Sequence, residues 1–178
     1  MDTFFDDWPF IAQVSLVLFL LALSGFFSMA ETSMLSSNRH RLRAMANGGN
    51  PGAALAERLL KRIDSLLSVL LISNNLINTI LPILVTGIAL HIFGESGLVL
   101  TIATLVVALL IIVFSEITPK VIGTAFPEKI ASNVGWLILP LTYILKPLLW
   151  FINSFVSGLM KVSGLQASTE NRDRKSVV

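Results

Sequence analysis

The chain contains no cysteine, which excludes disulfides, thiolate metal sites and cysteine nucleophiles. Charge is scarce too: Asp, Glu, Lys and Arg make up 13% of the 178 residues, about half the share usual in soluble domains. Residues 1–38 hold no Lys or Arg. The amino end carries Asp2, Asp6 and Asp7 instead, so it lacks the basic flank of a cleaved signal peptide, and the apolar stretch that follows is too long for one. A formal net charge of +2 is too small to point to nucleic acid as a partner. Hydrophobic residues are plentiful at 54%, and they fall in runs long enough to cross a bilayer. The expected fold class is all-α integral membrane.

The first run, Trp8 to Ala30, opens a span over about 8–34. Residues 35–64 hold Arg39, Arg41, Arg43, Arg58, Lys61 and Arg62, with a GGNPG break between two short helix-like stretches. Such a basic loop belongs in the cytoplasm, as short helices over 37–63. A second span over about 65–90 and a third over about 97–125 follow, joined by an outward-facing HIFGES turn with Glu95. The last apolar block, Val134 to Met160, is long enough for a fourth crossing, but it carries Lys146 near its middle and Pro140 and Pro147. A fourth crossing would put either Lys161, Arg172, Arg174 and Lys175 or the Arg39–Arg62 loop outside. Three crossings and a juxtamembrane belt helix over about 127–162 keep every basic block on one side, with Lys146 reaching the headgroups and Trp136, Tyr143 and Trp150 at the boundary. The expectation is a membrane domain over 1–165, amino terminus outside and carboxy terminus cytoplasmic, then a polar tail over 166–178.

The polar residues inside the spans carry the functional signal. Ser24, Ser28 and Glu31 share one face of the first span at i, i+4 and i+7, and Gly25 lets another helix approach. Small-residue packing accounts for the serines taken alone, and Glu31 is near enough to the cytoplasmic end to be interfacial. The second span holds Asn74, Asn75 and Asn78. Asn74 and Asn78 share a face, whereas Asn75 points about 100° away from Asn74. Interhelical hydrogen bonding, about 1 kcal/mol per contact, is one reading of these amides and ion coordination is the other.

Glu116 stands apart, because ionisable residues within spans face cavities and mark ion or substrate paths. Pro119 removes a backbone donor and frees a carbonyl about a turn earlier, near Ser115, while Gly123 permits close backbone approach. A broken helix beside a carboxylate outlines a cation site. A Glu116–Lys120 pair at i, i+4 is the alternative. Carboxylate, hydroxyl, amide and backbone carbonyl are all oxygen donors, which suit hard cations such as Mg²⁺, Ca²⁺ or Na⁺, and Mg²⁺ takes six oxygens at about 2.0–2.1 Å. His40 and His91 fall on opposite sides of the membrane in this topology, so neither completes a zinc site or a Ser–His pair. A non-enzyme is expected.

SGFFSMAETSM at 24–34, SNNLIN at 73–78 and SEITPK at 115–120, in that order on three spans, closely resemble the transmembrane domain of the CNNM/CorC family of magnesium transporters, over essentially residues 8–165. The resemblance implies a homodimer in the bacterial inner membrane, three crossings per chain, and Na⁺-driven Mg²⁺ export with a dehydrated ion held in the membrane. It implies Ser24, Ser28, Asn75 and Glu116 as ligands, with a backbone carbonyl near Gly123. Asn74, Asn78 and Glu31 are second choices, for Na⁺ or gating, together with Pro119 and Lys120. Family members continue into nucleotide-binding cytoplasmic CBS domains, whereas this sequence ends in QASTENRDRKSVV. A non-transporting Mg²⁺ sensor that regulates another transporter is the rival function, and a structural scaffold a third.

Overall fold

From Phe10 to Ala30 the chain has neither a charged residue nor a proline. In hydrocarbon such a segment must satisfy its own backbone groups, which a helix does. The computed structural model describes residues 8–94 and 97–162, and every described element is a helix. The acidic amino end, Glu95 and the 166–178 tail lie outside the described residues. Helix α1 runs Phe10–Ser36 over 27 residues and α4 runs Ile63–Phe93 over 31. A third stretch, Gly97–Ala125, is continuous over 29 residues: α5 (Gly97–Ile111), a π-helical turn (Ile112–Ile117) and α6 (Thr118–Ala125). These three are long and apolar enough to cross a membrane, each about 40 Å at 1.5 Å per residue.

Between α1 and α4 lie α2 (Arg39–Asn47) and α3 (Pro51–Leu60). Asn38 caps α2 by accepting from the His40 and Arg41 amides at 2.9 and 3.4 Å. Asn50 caps α3 by accepting from the Ala53 amide at 3.1 Å, and Pro51 occupies the first helical position, where its missing N–H is no loss. Gly49, at φ +90°, makes the reversal between them, in a backbone region that side chains disfavour.

Helix α7 (Pro127–Ile144) packs along α3 and α1. The α3–α7 seam is narrow, because a Cβ on Gly52 would collide with the Ser132 carbonyl. The start of α7 is tied to the end of α1, where the Asn38 amide donates to Glu128 Oε1 at 3.3 Å and Arg41 Nη1 stands 4.0 Å from Glu128 Oε2. At its other end Lys146 lines the same cavity as Arg58, Lys61 and Arg62, beside the start of α4. Both ends of α7 therefore lie at the end of the bundle where α1 finishes and α4 begins.

The single helix expected over about 127–162 is two helices in the structure. Helix α8 (Lys146–Val162) follows α7 after Leu145, with a bend of 59° between Pro127–Ile144 and Lys146–Ile152. Pro147 has no N–H to offer the Tyr143 carbonyl, and its ring disfavours helical backbone in the residue before it. Pro140 also lacks a donor, yet α7 continues through it.

Buried side chains of α1, α3, α4 and α7, among them Met34, Ala56, Leu70 and Ile138, form the core at this end of the bundle. Helix α5 has no buried residue and packs on α4, whereas the π turn and α6 pack on α1. The third span thus leans on α1 in its second half and departs from it in the first.

Candidate functional site

The second half of the third span approaches α1 because both surfaces are small where they meet. A Cβ on Gly25 would stand 3.2 Å from Pro119 Cγ and 3.4 Å from the Phe114 carbonyl oxygen; one on Gly123 would stand 2.9 Å from the Met29 carbonyl. The two segments run parallel, with Ser115 beside Ser24, Pro119 beside Gly25 and Gly123 beside Met29 and Ser33. Helix α4 closes the third side, antiparallel to α1.

Ser24, about halfway along α1 and fully buried, is the hub. Its hydroxyl lies 2.7 Å from Asn78 Oδ1 and 3.0 Å from Asn74 Oδ1, and it accepts from the Ser115 hydroxyl at 2.5 Å. One hydroxyl has one proton to donate, so Ser24 cannot fully satisfy both amide oxygens at once. Four side-chain oxygens from three spans converge here. One turn along α1, the buried Ser28 hydroxyl donates to the Glu116 backbone carbonyl at 3.4 Å.

The π turn adds a further oxygen. The Thr118 amide donates to the Val113 carbonyl, five residues back. The Phe114 carbonyl therefore lacks its usual donor at Thr118, and the next candidate is Pro119, which has no N–H. Sequence alone placed the freed carbonyl near Ser115, with the helix broken. Instead the helix widens by one residue, which keeps it continuous and shifts the unpartnered carbonyl to Phe114, facing Gly25. Turns of this kind recur at functional sites.

Glu116 sits on the same turn with its side chain 40% exposed, and its Oε1 is 3.8 Å from Lys120 Nζ. A cavity of about 260 Å³ lies between α4 and the third span. Asn78, Ser115 and Glu116 stand at its polar end, and Pro82, Val85, Ala108 and Ile111 are among its apolar walls. Among the described residues no three of His, Cys, Asp and Glu are placed to hold a metal together. The donor set is neutral oxygen plus one carboxylate.

The structure brings together Ser24, Asn74, Asn78 and Ser115, with Ser28, Glu116 and Pro119 adjoining. Asn75 is exposed on another face of α4, and Glu31 is half-buried further along α1. Gly123 is buried in the α1–α6 contact, and Lys120 reaches Glu116 from the outer surface. The Ser115 hydroxyl and the Phe114 carbonyl are the members that sequence reasoning missed. The only signal for them is Pro119 itself, since a π turn leaves no mark in a 3.6-residue periodicity.

Residues 15–176 match the family model described as the Cyclin M transmembrane N-terminal domain, CNNM. The chain belongs to the CNNM family. It is 39% identical over 144 residues to the UPF0053 inner membrane protein YfjD of Escherichia coli K12, covering 81% of this chain and 33% of that protein. A UPF0053 protein of Haemophilus influenzae is 36% identical over 167 residues, covering 94% and 39% respectively. The polyamine export protein of the same organism is 26% identical over 172 residues, covering 85% and 38%. This CNNM chain thus spans between a third and two fifths of these relatives' lengths. Its three apolar helices and its similarity to an inner membrane protein make it a multi-pass protein of the bacterial inner membrane.

Proposed function

We propose that this CNNM chain exports Mg²⁺ from the cytoplasm in exchange for Na⁺, working as a homodimer. The observation that carries the reading is the convergence, within three spans, of the Ser24, Asn74, Asn78 and Ser115 oxygens beside the unpartnered Phe114 carbonyl and the Glu116 carboxylate. An oxygen-only donor set suits a hard cation. With one carboxylate per chain, a divalent ion is held under-neutralised and can be released, and Na⁺ can occupy oxygens that Mg²⁺ vacates. Asn75, Gly123 and Glu31 would join the site only through a second copy or a rearranged state.

The working orientation puts α2, α3 and the α7–α8 bend in the cytoplasm, with α7 and α8 along the membrane interface as a belt. In a longer protein, nucleotide-binding CBS domains would follow on that side. The absence of native cysteine allows a direct check: single cysteines at Asp2 and Glu95 should react with an impermeant thiol reagent from outside, and one at Asn47 only from inside. External labelling at Asn47 would invert the topology and the direction of transport with it.

Purified protein in sealed vesicles loaded with a Mg²⁺ dye tests the function. An opposing Na⁺ gradient should accelerate Mg²⁺ movement, and replacing Na⁺ with K⁺ should remove the acceleration. Equal flux in K⁺ would mean a channel; binding without flux would mean a sensor.

A second reading has its own support. A carboxylate, one amide and a serine at one end of an otherwise largely apolar cavity suit an alkylammonium chain, and one relative is named a polyamine export protein. In the same vesicles spermidine should leave Mg²⁺ flux unaffected if Mg²⁺ is the cargo; competitive inhibition would favour the organic cation.

A further inference from the structure

A second cavity, of about 460 Å³, lies where the α3–α4 junction meets the α7–α8 bend. Arg58, Lys61, Arg62 and Lys146 line it, with Thr142 and Tyr143. The nearest carboxylates on these elements are Glu57, 3.7 Å from Lys61, and Asp64 in the first turn of α4. Among the described residues, Arg58, Arg62 and Lys146 form no ion pair. Three cations from the α3–α4 junction and Lys146 at the start of α8 thus meet at one hollow, and of the four only Lys61 has an acidic partner among the described residues. Their mutual repulsion falls when an anion enters.

The surroundings say which anion. Exposed apolar side chains flank the cavity in sequence: Tyr143 in its lining is 68% exposed, Ile144 next to it 70%, and Trp150, about one turn after Lys146 on α8, 72%. Arginine forks and a lysine bind phosphate oxygens, and in the orientation proposed above this hollow lies at the membrane boundary, where a basic hollow between helices suits an anionic headgroup. A free phosphate would satisfy the cations and leave these flanking apolar side chains uncovered, whereas a phospholipid satisfies both.

We propose that this cavity binds the headgroup of an anionic phospholipid. Arg58, Arg62 and Lys146 hold its phosphate, and its acyl chains lie along Ile144 and Trp150. The lipid bridges α3, α4 and the α7–α8 bend, and so fixes the angle at which α8 leaves the bundle. The site is remote from the Ser24 cluster and stands whether or not the chain transports Mg²⁺.

The test is native mass spectrometry of the purified chain in detergent, titrated with phosphatidylglycerol or phosphatidylcholine, with the fold of each variant checked by circular dichroism. Phosphatidylglycerol should be retained and phosphatidylcholine not. Lys146→Gln should weaken retention about fivefold, and Arg58→Gln/Arg62→Gln/Lys146→Gln on the order of 100-fold, at the usual contribution per basic residue. Arg39→Gln/Arg43→Gln, which removes two exposed charges outside the cavity, should change retention by less than about twofold. Equal retention of both lipids, or equal loss in the Arg39→Gln/Arg43→Gln control, would overturn the proposal. So would millimolar inorganic phosphate raising the melting temperature as much as phosphatidylglycerol does, since that would make it a free-phosphate site. The single Lys146→Gln variant keeps the test decisive if the triple variant fails to fold.

Discussion

Glu116→Gln should abolish Mg²⁺ binding, with a loss on the order of 100-fold or more, and Na⁺-driven flux with it. The substitution keeps the size and planar shape of the side chain and removes the only carboxylate at the polar end of the site. The donors left behind, two serine hydroxyls, two amide oxygens and a backbone carbonyl, are neutral. Within low-dielectric surroundings the missing Coulomb attraction amounts to several kcal/mol, more than any single neutral oxygen supplies. Ser24→Ala removes a hub that water can replace, so it should weaken binding by about tenfold. Lys120 provides the contrast. If Glu116 served only to hold Lys120 at 3.8 Å, Lys120→Gln would have the same effect as Glu116→Gln. If the carboxylate binds the ion, Lys120 competes with the ion for it, and Lys120→Gln should bind Mg²⁺ at least as tightly as the parent. Calorimetry on the three variants decides, and parental Mg²⁺ affinity in Glu116→Gln would reduce the carboxylate to a structural role.

Several of these features were open to inspection in the sequence. Three long apolar runs announce three membrane-length helices, because hydrocarbon leaves the backbone few alternatives. The GGNPG stretch separates α2 from α3 as turn chemistry requires, and the i, i+4 spacing of Asn74 and Asn78 puts them on one face. What the sequence leaves open is which face meets which neighbour. Asn74 and Asn75 differ by about 100° around α4, and only packing against α1 selects Asn74 and Asn78 as the pair that reaches Ser24. The π turn is hidden for a related reason: it inserts one residue into the helical register and turns Ser115 towards α1, a shift that composition does not encode.

The two prolines of the last apolar block make the same point. Both remove a donor, yet α7 runs through Pro140 and ends before Pro147. Pro140 is exposed, while Ala131, Val134 and Ile138 on the opposite face are buried against the core and hold the helix in place. After Ile138 the next buried residue is Leu149. The stretch between them, where the bend falls, has no such anchor, and the hydrogen bond that Pro147 cannot make to the Tyr143 carbonyl is expressed there as a bend.

That anchoring depends on a contact that admits no side chain. Gly52→Ala should destabilise the protein by about 3 kcal/mol, at the upper end of what overpacking costs, and lower its melting temperature in detergent more than any other single methyl addition on α2 or α3. The added Cβ would collide with the Ser132 carbonyl oxygen and lie 3.0 Å from the carbonyl carbon. Both atoms belong to the backbone of α7, so no rotamer change can make room. Helix α7 cannot simply retreat, because Glu128 ties its start to Asn38 and Arg41 while Ala131, Val134 and Ile138 belong to the core. Gly48→Ala is the matched control: its Cβ would meet only the Met45 and Ala44 carbonyls at 3.4 and 3.5 Å, ordinary contacts on its own turn, and should change the melting temperature little. A Gly52→Ala protein as stable as the parent would mean that α3 and α7 stand further apart than the structure places them, and that α7 is held by α1 alone.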